Sequence, residues 1–215
     1  MIRPTPRRRL AALCTAALTV SLISATASPA LAYNGGQAAQ YADKWALTPN
    51  TAAYPMFVKN DCTNFFSQAA RAGGYPFRNA GKSPAGATSW WFASGSGGFS
   101  WANAWVAADG YYNFLFADNP GGSSQGSAPG SSTGYWTPDA MVTGDALFFD
   151  WGQGSGVSHV TMQVGYGTDP NNPTWKGNYI DEHTSNRYHA FWSLKPYNAL
   201  YATTTIYFEH INAGN

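Results

Sequence analysis

An α+β domain, with N-terminal helices packed on an antiparallel sheet, is the fold class this sequence predicts. Two observations carry it. Helical periodicity lies before residue 75, while short alternating strands bounded by turn residues fill the chain after residue 144. Composition adds a third: 44% of the 215 residues are hydrophobic and 16% aromatic but only 11% charged, which suits one well-packed domain.

The chain begins with Arg3, Arg7, Arg8 and Arg9, runs uncharged from Leu10 to Ile23 and reaches Ala30-Leu31-Ala32. A basic start, a short apolar stretch and a small-x-small triplet predict a secretory signal peptide over residues 1–32, cut before Tyr33, and hence an extracellular protein. A spanning helix needs about 20 predominantly apolar residues. Thr15, Thr19 and Ser21 interrupt this shorter run, so no stable membrane insertion is expected after cleavage.

Four of the 12 basic residues fall in that leader, leaving eight against 11 acidic ones over residues 33–215. Such a balance argues against a nucleic-acid or anionic-membrane partner. The mature chain is expected to be a monomeric single domain. Cys14 also lies in the leader, so Cys62 is left alone. An intrachain disulfide, the common use of cysteine outside the cell, is then impossible, and the thiol is either buried filler or kept for reactivity.

In chain order, Ala38, Ala39, Ala42, Trp45 and Ala46 fall at helical spacing, and Thr48-Pro49-Asn50 ends the pattern, predicting a first helix over Gly35 to Leu47. From Asn60 to Gly74 an Asn/Asp start, apolar residues at 62, 65, 66, 69 and 70 and a glycine stop predict a second helix with Cys62 in its first turn. Residues 119–134 are nearly all Gly, Ser and Pro and read as a mobile loop inside the domain. Strands are predicted at Ala146 to Phe149, His159 to Val164, Tyr179 to Thr184 and Thr203 to Ile211. Alternation puts His159, Thr161 and Gln163 on one face, and Asp181 and His183 together on a face of the following strand.

Thiolate is the nucleophilic form of cysteine, and the free N–H groups and dipole of a helix N-terminus favour it. The same groups can face a developing oxyanion. Cys62 sits where both effects operate. As base it needs a histidine within hydrogen-bond reach. His159 opens a strand after a glycine-rich turn on a polar face; His183 lies on the next strand beside Asp181; His189 and His210 have no comparable placement.

The run from Tyr41-Ala42 and Trp45-Ala46 through Asn60-Asp61-Cys62-Thr63-Asn64-Phe65 and Ser67-Gln68 to Gly73-Gly74 resembles the putative amidase domain family of secreted bacterial proteins. Gly144-Asp145-Ala146-Leu147-Phe148-Phe149 and Ser158-His159-Val160 also resemble the papain-like peptidoglycan peptidases, whose nucleophile commonly sits in an Asp-Cys-Ser/Thr motif. The resemblance implies a papain-like fold and a cysteine amidase or peptidase with Cys62 as nucleophile and His159 as base. It implies a third polar residue at His183, with Asp181 the competing choice. Papain's oxyanion glutamine, six residues before its cysteine, corresponds to Met56 here, which leaves Tyr54 and Asn60 as weak candidates for oxyanion support. No cofactor is needed, and the implied substrate is an extracellular amide or peptide such as a peptidoglycan stem peptide.

Three rival readings remain. Trp90, Trp91, Trp101, Trp105, Trp136 and Trp151 could line a glycan groove in a catalytically silent cell-wall-binding module, although aromatic residues in a domain poor in Leu and Ile are more often core. An acyltransferase would use the same catalytic residues with an amine in place of water. A zinc site built from His159, Asp181 and His183 is chemically open, but no recognised ligand spacing supports it.

Overall fold

The computed structural model describes residues 32–117 and 121–212. The expected leader lies outside them apart from Ala32. Helix α1 spans Gly35–Trp45 and α2 Cys62–Ala72. A small hairpin follows, β1 (Phe92–Gly95) with β2 (Gly98–Trp101), and then two further helices, α3 (Asn103–Val106) and α4 (Ala108–Ala117). The remaining strands are β3 (Gly122–Pro129), β4 (Ala146–Asp150), β5 (Val157–Thr168), β6 (Lys176–Glu182), β7 (Arg187–Phe191) and β8 (Thr205–Ile211). They form one six-stranded sheet in the order β3-β8-β4-β5-β6-β7, with every pairing antiparallel. The α+β architecture is thus as the sequence predicts. Among the described residues, no helix is long and apolar enough to cross a membrane.

Strand alternation gives the sheet two apolar faces. Ala146, Phe148, Val160 and Met162 join Phe65, Phe66, Ala69, Trp90, Trp105 and Tyr111 in a core beneath the helices. Leu147, Phe149, Ile180, Ile206 and Phe208 point the other way and are covered by Met141, Trp192 and Leu194 from the connecting segments. Burial of large rings dominates the first core, and Trp90 and Trp105, both fully buried, meet with centroids 5.0 Å apart.

The stretch over residues 119–134 departs from expectation. Gly122–Pro129 is not a mobile loop but the edge strand β3, paired with β8 from Gly122↔Ile211 to Pro129↔Thr205 around a bulge between Ser124 and Ser127. Backbone hydrogen bonds to β8 hold it, and these need no apolar side chains; its proline sits at an edge, where a missing N–H is tolerated. Strands β1, β2 and β7 and helices α3 and α4 were likewise outside the sequence-based expectation.

One close backbone approach seats the helices on the sheet. Gly144, at φ 97°, packs against the first residue of α1 so tightly that a Cβ there would lie 2.3 Å from the Gly35 Cα. The Tyr33 hydroxyl donates to the Gly144 carbonyl at 2.6 Å. Next to it, the buried Asp145 carboxylate accepts the backbone N–H groups of Val142 (2.7 Å) and Ile211 (3.0 Å), tying the turn before β4 to β8.

Candidate active site

Cys62 is the first residue of α2, with Asp61 at the N-cap. Asp61 does not cap the helix with its side chain, as an Asp at this position ordinarily does. Its carboxylate is committed elsewhere. Oδ1 accepts from the Phe57 N–H (3.0 Å) and the Asn64 side-chain amide (2.8 Å), and Oδ2 meets His183 Nδ1 at 2.6 Å. Asn64 also donates to the Pro55 carbonyl (2.9 Å), and its own oxygen accepts from the Trp105 indole at 2.9 Å. Further along, Ser67 accepts from the Trp90 indole and Gln68 from the Tyr41 hydroxyl. The polar residues around Cys62 therefore form a buried, satisfied scaffold that fixes the start of α2.

His159 belongs to β5, opposite Phe149 in register, with its ring packed near Phe149 and Trp151. Its Nε2 lies 2.5 Å from Glu182 Oε2. The other Glu182 oxygen pairs with Arg187, whose guanidinium lies over the Tyr197 ring. Since a carboxylate only accepts, Nε2 carries the proton toward Glu182, and Nδ1 is the nitrogen left for Cys62.

Burial alone would raise the Cys62 thiol, but the charge and hydrogen bond of His159, with hydrogen bonds from Thr63 and the Val160 backbone, outweigh it and bring the thiol below its ordinary value. For His159 burial acts downward, and the charges of Cys62 and Glu182 overcome it, so the imidazole is held well above its ordinary 6.5. Both shifts point to the same state, a thiolate beside an imidazolium.

The residue that meets His159 is Glu182, not His183 or Asp181 as expected. Alternation does place Asp181 and His183 on one face, but Met162 pairs with Asp181, so that shared face is the one under the helices. Glu182 takes the face of Thr161 and His159. His183 instead donates from Nε2 to the Trp45 carbonyl (2.9 Å), binds Asp61 and stacks on Phe65 at 4.0 Å. It clamps α1 and α2 to β6. Asp181 accepts the His189 N–H at 2.7 Å. The weighed zinc trio of His159, Asp181 and His183 is accordingly split among three different sets of partners.

Asn60 lines a cleft of about 310 Å³ with Cys62, Thr63, Val106, Asp109 and Ser158. A second hollow of about 310 Å³, bordered by Trp151, Arg187, Leu194 and Tyr197, also has the buried His159 and Glu182 in its lining. Tyr54 is not in either group; it packs on Phe92 and Trp105 in the aromatic core. Met56 is 45% exposed. Of the tryptophans, Trp90, Trp91 and Trp105 are buried, as a core reading expects, whereas Trp136 is exposed and stacks on Tyr166 at 4.0 Å.

Comparison with known proteins adds an independent line. Residues 32–208 match the family described as Putative amidase domain. A 55-residue stretch is 46% identical to the uncharacterized protein YjcM of Bacillus subtilis (strain 168), covering 26% of this chain and 13% of that protein. No solved structure matches the chain significantly.

Proposed function

Because this chain belongs to the putative amidase domain family, whose description points to amide hydrolysis, we propose that it is a secreted cysteine amidase working through a Cys62–His159–Glu182 triad on a papain-like scaffold. The observation that carries this reading is the Cys62–His159 couple at the N-terminus of α2, with the thiol held low by His159 and the imidazole held high by Cys62 and Glu182.

The chemistry follows from the geometry. The Cys62 thiolate attacks an amide carbonyl carbon, and the carbonyl oxygen takes up negative charge. First-turn N–H groups of α2 and the Asn60 amide beside the cleft are the donors available to that oxyanion. As the C–N bond breaks, His159 gives its Nδ1 proton to the leaving amine, generating a thioester. His159, now neutral, takes a proton from water, whose oxygen attacks the thioester and restores the thiolate and imidazolium. Glu182 keeps the ring in the required tautomer and stabilises its cationic form. The leader-like N-terminus supports an extracellular amide or peptide substrate, with peptidoglycan stem peptides the first to examine.

The test is incubation of the protein with purified peptidoglycan and peptide libraries, read by mass spectrometry of the fragments, alongside Cys62→Ala. Turnover by the parent and none by the variant is expected. Undiminished cleavage by Cys62→Ala would remove cysteine catalysis from consideration.

A further inference from the structure

A second cluster of chemistry-bearing side chains lies apart from the Cys62–His159 couple, where α1 crosses β6 and β7. Asp43 projects from α1, Asp181 from β6 and His189 from β7, and their donor atoms all lie within 4.8 Å of one another. His189 Nε2 is 2.9 Å from Asp43 Oδ1. Its ring is held between Tyr179 and Tyr188, with centroid separations of 4.4 and 3.7 Å and interplanar angles of 13° and 15°. The imidazole is thus fixed with its Nε2 edge toward the two carboxylates.

Asp181 is the informative member. It is fully buried, and although Oδ1 accepts the His189 N–H, its Oδ2 is buried with no hydrogen-bond partner. Leaving a buried carboxylate oxygen unpaired is costly. The nearest charges make matters worse, since Asp43 and Glu182 are acidic. The side chains of Asp43 and His189 are 38% and 22% exposed, so the cluster opens to solvent.

We propose that Asp43, Asp181 and His189 bind one divalent transition-metal ion of the zinc type through two carboxylate oxygens and the His189 Nε2. Imidazole and carboxylate donors suit such an ion. Bonds of about 2.0–2.2 Å in a tetrahedral shell put ligand atoms roughly 3.3–3.6 Å apart, a separation this cluster reaches by small side-chain adjustment. Solvent supplies the fourth ligand. The cation satisfies the unpaired Asp181 oxygen, cancels the clash of two carboxylates and cross-links α1 to the β6–β7 hairpin that carries Glu182.

The experiment uses the protein carrying Cys62→Ala, which removes the competing thiolate ligand and makes the result independent of any catalytic role. Zinc chloride is titrated by calorimetry, and the thermal midpoint is followed with zinc and with chelator. One zinc ion per chain, a midpoint raised by zinc and reversed by chelator, and affinity lowered about tenfold or more in Asp43→Asn and Asp181→Asn are expected. Should Asp181→Asn fail to fold by circular dichroism, Asp43→Asn, at a half-exposed helix position, carries the test alone. A midpoint that zinc leaves unchanged means that a shared proton, not a cation, joins the carboxylates and overturns the proposal. So does zinc affinity unaltered by Asp43→Asn.

Discussion

Glu182 Oε2 lies 2.5 Å from His159 Nε2, while its second oxygen is held by Arg187. Thiolate, imidazolium, carboxylate and guanidinium thus alternate in sign from Cys62 to Arg187. Replacing Glu182 by Gln keeps the shape but removes the charge and permits the wrong imidazole tautomer. Turnover is expected to fall by on the order of 10²–10⁴ with KM little changed. Steady-state kinetics on Glu182→Gln beside the parent checks this, and a loss smaller than that of His183→Gln would return the third position to His183.

The pH profile follows from the two opposed shifts. Activity needs Cys62 ionised and His159 protonated. The acid limb therefore belongs to a thiol below its ordinary 9.0, and the basic limb to an imidazole above its ordinary 6.5. Rate should rise as the thiol ionises below pH 9.0 and fall in alkali, where His159, pushed up to about 10, loses its proton. Because the Glu182 charge helps hold His159 up, Glu182→Gln should move the basic limb downward. Thiol alkylation rates measured across pH read the same limbs without any substrate, and an unmoved basic limb would argue against the coupling.

His183 and Asp61 form a buried pair that positions α2 rather than reacting. His183→Ala leaves the Asp61 carboxylate short of a partner, and breaking such a pair costs about 3–5 kcal/mol. Urea denaturation should show that loss. Any fall in turnover should come without movement of the basic limb, which distinguishes a positioning residue from a member of the proton relay.

Gly144→Ala forces a side chain into backbone at φ 97° and against Gly35. The backbone conformation alone costs about 1–3 kcal/mol, and overpacking adds about as much. A lowered denaturation midpoint with the site's pH limbs unmoved is the expected pattern.

Deleting residues 122–129 should destabilise the protein, since it strips β8 of one partner along its length. Soluble yield and denaturation midpoint both measure this. Full tolerance would mean that β3 contributes no more than a loop.

Much of the site was legible because its chemistry depends on local position. A helix start identifies Cys62 from spacing alone, and strand alternation puts His159 on one face with Thr161, although the ring is buried, only 5% exposed, on a strand flanked by β4 and β6. Glu182 was not legible, because alternation says only which residues share a face. Which face meets His159 depends on the β5–β6 register, and that register is displaced by an irregularity between Gln163 and Gly165. A slip of one residue exchanges every side chain between the two faces. Asp61 stands at the helix start as its position suggests, but its side-chain partners were not legible, because they come from residues as distant as His183. Strand β3 was hidden by composition, as Gly, Ser and Pro announce a loop unless a neighbouring strand supplies the hydrogen bonds.

That same strand bears on how the protein behaves when crowded. A sheet that ends in an open strand offers unpaired backbone groups to any passing chain, and polymerisation through such rims is a standing hazard for antiparallel folds. Here the rim is Gly-Ser-Ser-Gln-Gly-Ser-Ala-Pro, bent by its bulge and ended by a residue that cannot donate. A foreign strand docking there would gain little apolar contact and would meet a kinked hydrogen-bond pattern. The weak composition of β3 thereby serves as the sheet's guard against fibre growth, and replacing its serines with valine or isoleucine would trade a firmer rim for self-association.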